Sequence, residues 1–173
     1  MSNRDAPSGF KVAMHMSGGI PGRLTEYNIV AALAKNIYTG DVVIPVNTTK
    51  RITRPTAGTE RPQGVFDGCF YALADGTPRF ERYWPSGQVV QTGSQPVCSI
   101  YDDPNTVFEV QVDGTFSLAY IGGFTDYTVG TGNNLTGQSG DEVVAGESGA
   151  TCKILDYVRR PDNEIGANTK VLV

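Results

Sequence analysis

A chain of 173 residues fits one compact domain with an appendage, and its 21 glycines and 10 prolines suit short strands joined by tight turns rather than a helical bundle. No run approaches the roughly 18 apolar residues of a membrane span, and the start MSNRDAPSGFKV has no apolar signal core, so cytoplasmic synthesis without a membrane partner is expected. The net charge of −4 divides into +2 over residues 1–24 and −6 over the rest; between Tyr83 and Cys152 there is no Lys or Arg, which weighs against nucleic acid as a partner.

Residues 1–24 hold Pro7, Gly9, Gly18, Gly19, Pro21 and Gly22 and show no sustained period, which predicts an extended N-terminal arm. Within it Phe10, Val12, Met14 and Met16 alternate as strand addition to a neighbour would require; free disorder is the alternative. From residue 25 the pattern becomes strand-like: YNIVAALA, NIYTGDVVIPV and KRIT, with a turn at Thr39-Gly40-Asp41. IVAALAKNI could form a short helix by composition, but no pair of caps frames one, and strand or loop is favoured. A polar connection over residues 53–62 leads to GVFDGCFYALADG, a strand closed by the Asp75-Gly76 turn, then to RFERYW and the turn Pro85-Ser86-Gly87.

PVCSIY, the turn Asp102-Asp103-Pro104-Asn105, TVFEVQV and TFSLAYI follow as strands. In TVFEVQV and the residue after it, the set Phe108, Val110, Val112 alternates with Val107, Glu109, Gln111 and Asp113, a half-buried strand with one wet face. The stretch around 122–150, rich in Gly, Thr and Asn, reads as a long polar surface loop. CKILDYV and the closing KVLV return to strand pattern. The whole predicts an all-β fold, a small β-barrel or a jelly-roll-like β-sandwich: an arm over 1–24, then one domain over 25–173 with an excursion around 122–150.

Little in the chain has the spacing of assembled chemistry. A Ser-His or Cys-His nucleophile needs a supported histidine, and the one histidine, His15, falls in the presumed arm. Cys69, Cys98 and Cys152 are odd in number and far apart, so free buried thiols are expected, with one bridge plus a spare thiol as the alternative. The carboxylate pairs Asp102-Asp103 and Asp141-Glu142 sit beside turn formers, and neighbours on a strand point to opposite faces. Oxygen ligands around Asp162, Asn163 and Glu164 lack Ca²⁺-loop spacing, and the glycosylation patterns at Asn47-Thr48-Thr49 and Asn134-Leu135-Thr136 carry no meaning without secretion. Trp84 and Tyr83 read either as a core or interface anchor or as a sugar-stacking pair. No catalytic, cofactor or metal residue is assigned.

Several blocks nevertheless resemble a family of virion structural proteins of tailed bacteriophages: GVFDGC (64–69), YWPSG (83–87), YDDPNTVFEVQ (101–111) and RPDNEIG (160–166), with the fainter YTGDVV (38–43) and KVLV (170–173) in the same order. The resemblance spans roughly residues 25–173. It gives Trp84, Tyr101, Asp102, Asp103, Pro104, Asn105, Phe108, Arg160, Pro161, Asp162 and Asn163 as family-motif positions. It implies a decoration, or cement, protein without catalysis, bound to the outer surface of the capsid, with the major capsid protein and its own copies in a homotrimer as partners. Tail, baseplate or receptor-contact proteins and a carbohydrate-binding module are the other readings, and a glycan hydrolase a more distant one. Beside it, the arm's charge and alternation place the capsid or intersubunit contact at Phe10, Val12, Met14, Met16 and Arg23, with the acidic 102–151 region towards solvent. On that reading, loss of the arm removes no core strand.

Overall fold

The computed structural model describes residues 3–19, 23–30, 33–46, 50–147 and 149–173; Pro21, Gly22 and the Asn47-Thr48-Thr49 pattern lie outside them. In chain order the strands are β1 (Lys11–His15), β2 (Thr25–Ile29), β3 (Ile37–Tyr38), β4 (Val42–Pro45), β5 (Arg51–Thr53), β6 (Gly64–Ala72), β7 (Pro78–Glu81) and β8 (Tyr83–Trp84). They continue as β9 (Val97–Tyr101), β10 (Thr106–Asp113), β11 (Phe124–Thr125), β12 (Tyr127–Thr128), β13 (Glu142–Val144), β14 (Cys152–Lys153), β15 (Asp156–Tyr157) and β16 (Lys170–Leu172). The fold is all-β, as expected, and a short 3-10 turn at Leu118–Tyr120 is the one helical element among the described residues.

Strands β4, β5, β2, β9 and β6 pair in that order, and β6 returns to β4, closing a five-stranded barrel in which only the β2–β5 pair is parallel. Beside it lies a second sheet in the order β12-β13-β10-β16-β15, with β1 also on β10. The two layers share a wall. Successive side chains of a strand face opposite ways, so Val43 and Phe66 enter the barrel core while their neighbours Val42 and Val65 enter the core beneath the second sheet. This is why β4 and the start of β6 carry consecutive apolar residues. A bulge at Asp67, between the pairs Phe66↔Ile100 and Gly68↔Ser99, then shifts the parity of β6, so that Cys69 and Tyr71 also face the barrel interior.

The barrel strands run from residue 25 to residue 101, a single insertion in sequence between the strands that precede and follow them and that build the second layer. The chain leaves and re-enters that layer at one point, where the Met16 N–H donates to the Asn105 carbonyl at 2.9 Å.

Three expectations are corrected. First, residues 3–16 are part of the fold and not an arm: β1 is laddered to β10, Phe10 is 4% exposed in the second core, and its N–H donates to Gly40 O. Asn3 binds the distant 164–169 loop, donating to the carbonyls of Glu164 and Ala167 and accepting from the Glu164 N–H. Removing this segment would remove a core side chain and a strand.

Second, residues 122–150 are not a surface loop. They supply β11, β12 and β13, and Tyr127 and Val143 are buried. Polar residues are buried there because each is bonded: the Thr125 hydroxyl donates to Val144 O at 2.7 Å, and Asp141 has no exposed surface but several partners.

Third, TFSLAYI forms no strand. Ser117 accepts from the Ala119 N–H and caps the 3-10 turn, a local bond that competes with a ladder. The wet face of β10 is also partly covered, since Gln111 donates to Asp5 and Glu142 and accepts from the Ala6 N–H.

Candidate interaction surface

Where the barrel meets the second sheet, an apolar groove of about 850 Å³ opens. Val42, Val65, Phe10, Tyr101 and Phe108 line it, and Phe108 lies edge-on to both Phe10 and Tyr101. Met16, Asp103, Pro104, Arg61 and Lys153 also border it. Met16 is 64% exposed at the border of the groove; Met14, on β1, is 45% exposed, and a bulge after Val12 pairs it with Val107 instead of continuing the Phe108 face. Val12 is half-buried in β1 and Arg23 is exposed. Of the five residues predicted as contacts, Phe10 therefore belongs to the core, while Met14 and Met16 present an apolar surface.

The acidic groups beside the groove are engaged within the chain. Asp102 accepts from the hydroxyls of Thr25 (2.7 Å) and Tyr27 (3.1 Å); burial and this carboxylate push the Tyr27 phenol above its ordinary range. Asp103 starts a turn through Pro104 and Asn105, with the Thr106 N–H donating to its carbonyl, and its side chain accepts from the Asn105 N–H. That backbone bond, helped by His15, holds the Asp103 carboxyl below its usual range.

His15 joins the end of β1 to this turn. Its Nδ1 is 2.6 Å from Ser17 Oγ and accepts from the Ser17 N–H, which leaves Nε2 to carry the proton towards Asp103 Oδ2 at 3.2 Å. The Ser-His-Asp connectivity is that of a nucleophile relay, but with the ring nitrogens interchanged and the serine on an exposed turn. The adjacent Gly18 N–H is already bonded to His15 O. The chain of bonds acts as a clasp. Sequence reasoning missed it because only the register His15↔Thr106 brings the two segments together.

The other motif residues are structural. Trp84 is fully buried in the barrel core, edge-on to Tyr71 at 5.1 Å, so it offers no ring to a sugar. Tyr83 stacks on Tyr38. Arg160 grips Glu109 with two nitrogens, linking the RPDNEIG and TVFEVQ blocks, and its Nε is 3.5 Å from Asp162. Asn163 donates to the carbonyls of Val158 and Lys170 and accepts from the Lys170 N–H, holding the 158–163 loop against β16 while Pro161 stays exposed.

Two features had no clear signal in the sequence. One is a buried cluster in which Arg54 contacts both Asp41 (Nε to Oδ2, 2.9 Å) and Asp141 (Nη2 to Oδ1, 2.8 Å), neither carboxylate having exposed surface. Burial and the neighbouring Asp141 push the Asp41 carboxyl up to about 7, against the pull of Arg54; burial raises Asp141 too. The other is an aromatic pair on the outside of the barrel, where Phe70 and Phe80 lie with ring centroids 4.5 Å apart. Among the described residues no group of three or more His, Cys, Asp or Glu side chains could hold a metal ion. Comparison with protein-family models, curated proteins and solved structures finds no match to this chain.

Proposed function

We propose that this chain is a structural virion protein of a tailed bacteriophage that binds the outer surface of the capsid and ties neighbouring major capsid protein subunits together. The observation that carries the contact is the apolar groove with the exposed Met16 at its border and a second exposed methionine, Met14, two residues before it on β1. Contiguous exposed apolar surface of this kind suits a protein partner, and methionine adapts to irregular partner surfaces. Because Asp102 and Asp103 are engaged within the chain, what the surface offers is apolar area and the edge of β1 that no strand pairs with among the described residues, to which a partner segment can add main-chain hydrogen bonds. The ordered blocks resembling phage virion proteins supply the identity of the partner. Three copies acting together would hold through contacts that are each modest.

The test is co-sedimentation of the full chain with undecorated capsids. Met14→Ser combined with Met16→Glu changes exposed side chains and leaves Phe10 in place, so the variant should fold and yet bind at least tenfold more weakly. Occupancy equal to wild type would place the contact elsewhere, and labelled protein on the tail instead of the head would transfer the reading to a tail or baseplate component.

A further inference from the structure

Strand β7 is an edge: among the described residues it pairs with β6 and with no other strand. Its centre, Phe80, is 81% exposed and lies against Phe70, itself 41% exposed. Monomers rarely leave two adjoining aromatic rings uncovered beside an open edge.

The hydrogen-bond pattern of the hairpin shows which backbone groups are open. Leu73 N–H donates to Thr77 O, and the register continues through Tyr71↔Arg79 and Cys69↔Glu81. Bonded and non-bonded pairs alternate in an antiparallel ladder, so Phe70↔Phe80 is a non-bonded pair and the N–H and C=O of Phe80 point away from β6. Arg79 and Glu81 flank it on the opposite face of the strand. Their mutual contact is long, 3.9 Å, with side chains 53% and 35% exposed.

We propose that β7 pairs with β7 of a second copy, antiparallel, about a two-fold axis at Phe80. The sequence of the edge is self-complementary in that arrangement. Phe80 faces Phe80 and exchanges two main-chain hydrogen bonds, while Arg79 of each copy stands opposite Glu81 of the other in the closer, non-bonded type of pair. On one face the rings form a continuous row, Phe70 and Phe80 of one copy followed by Phe80 and Phe70 of the next. Any partner without this charge order loses the ion pairs, which is why the surface fits a second copy. The Pro78 ring removes a donor and limits the ladder to a few residues. The two rings expose roughly 250 Å² per copy, well short of the roughly 800 Å² per partner of a stable complex, so the dimer is weak and forms where copies are crowded. This contact does not rest on the capsid reading; being two-fold, it is separate from a three-fold contact between copies.

Sedimentation equilibrium of the full chain from about 5 µM to about 1 mM tests it. Wild type should show a concentration-dependent dimer. Phe80→Asp should weaken it at least tenfold, and so should Arg79→Glu or Glu81→Arg alone, whereas the double charge swap should restore it, because every opposed pair is again of opposite sign. Equal thermal midpoints would show that the variants are folded. As a second arm, Phe80→Cys with oxidised glutathione should give a covalent dimer, the two thiols forming one disulfide as glutathione disulfide is reduced to two thiols, since a facing bonded pair sits about 5.5 Å apart between Cα atoms. A wild-type monomer at 1 mM, an oligomer indifferent to Phe80→Asp, a double swap that fails to restore association, or no covalent dimer from Phe80→Cys would each overturn the proposal.

Discussion

Arg54 reaches from the end of β5 to Asp141, 87 positions further along the chain, and its guanidinium also meets Asp41. One buried cation thus serves two buried carboxylates from different layers. Asp141 additionally accepts from the backbone N–H groups of Val42 and Gly130. The three residues should therefore differ in mutational cost. Arg54→Leu leaves two carboxylates without a cation and should cost about 3–5 kcal/mol. Asp141→Asn keeps the Arg54–Asp41 pair and should cost less, while Asp41→Asn, which imitates the protonated acid, should cost about 1 kcal/mol. Urea denaturation midpoints give the order.

The same cluster sets a pH dependence. The Asp41 carboxyl is raised from an ordinary 3.8 to about 7 by burial and by Asp141, so the folded protein holds a proton that the unfolded chain has already released. Stability from this group is complete below about pH 4 and is lost as pH rises through about 7. Asp103 acts in the opposite sense: its carboxyl is depressed, and its contribution is lost only as pH falls below the ordinary carboxylate range. Thermal melts from pH 3 to 8 should show wild type losing stability above about pH 5 relative to Asp41→Asn.

Phe10→Ala should destabilise by about 3–5 kcal/mol, the cost of a large ring removed from a packed core. Guanidinium unfolding measures it. A variant within about 1 kcal/mol of wild type would return residues 3–16 to the status of a detachable arm.

Across the RPDNEIG block, two neighbours should behave differently. The Arg160–Glu109 bridge is partly exposed, and a double-mutant cycle should give a coupling of at most about 1 kcal/mol. Asn163→Ala strands two carbonyls and an N–H that the side chain now serves, and should cost about 2–3 kcal/mol in chemical denaturation.

Burial pushes the thiols of Cys69 and Cys98 up to about 12 and that of Cys152 up to about 11. At pH 8 in native buffer the buried Cys69 and Cys98 should react with a disulfide reagent only as fast as the fold opens, the half-buried Cys152 at the groove should react sooner, and all three should react at once in denaturant. Immediate native labelling of Cys69 or Cys98 would show that the barrel opens locally.

Strands were legible where one face is apolar and turns are explicit, as in β10 and in the hairpin ending at Gly76, whose φ of +85° the Asp75-Gly76 pair requires. Barrel closure was not legible, because it depends on the parallel β2–β5 pair and on a bulge at Asp67 that changes which residues of β6 face inward. Residues 122–150 read as solvent-exposed because Thr125, Ser139 and Asp141 are buried through hydrogen bonds, which hydropathy does not register. Gly9 suggested a flexible arm, yet a Cβ there would lie 2.4 Å from that of Ser139, so this glycine marks a close approach between segments. Among the exposed apolar side chains, Met14 and Met16 were singled out by their alternation. Phe80 was not, since between Arg79 and Glu81 it has the pattern of a residue facing a core.

The single crossing at Met16 and Asn105 also decides how the molecule would carry load. Tension applied between the first described residues and Val173 runs through β1, β10 and β16, whose ladders lie edge to edge, and does not pass along the chain of the barrel. Pulled by those ends, the molecule should yield first by sliding β1 or β16 past β10, while the barrel stays anchored to the second sheet by its shared apolar wall and by Arg54 and Asp141.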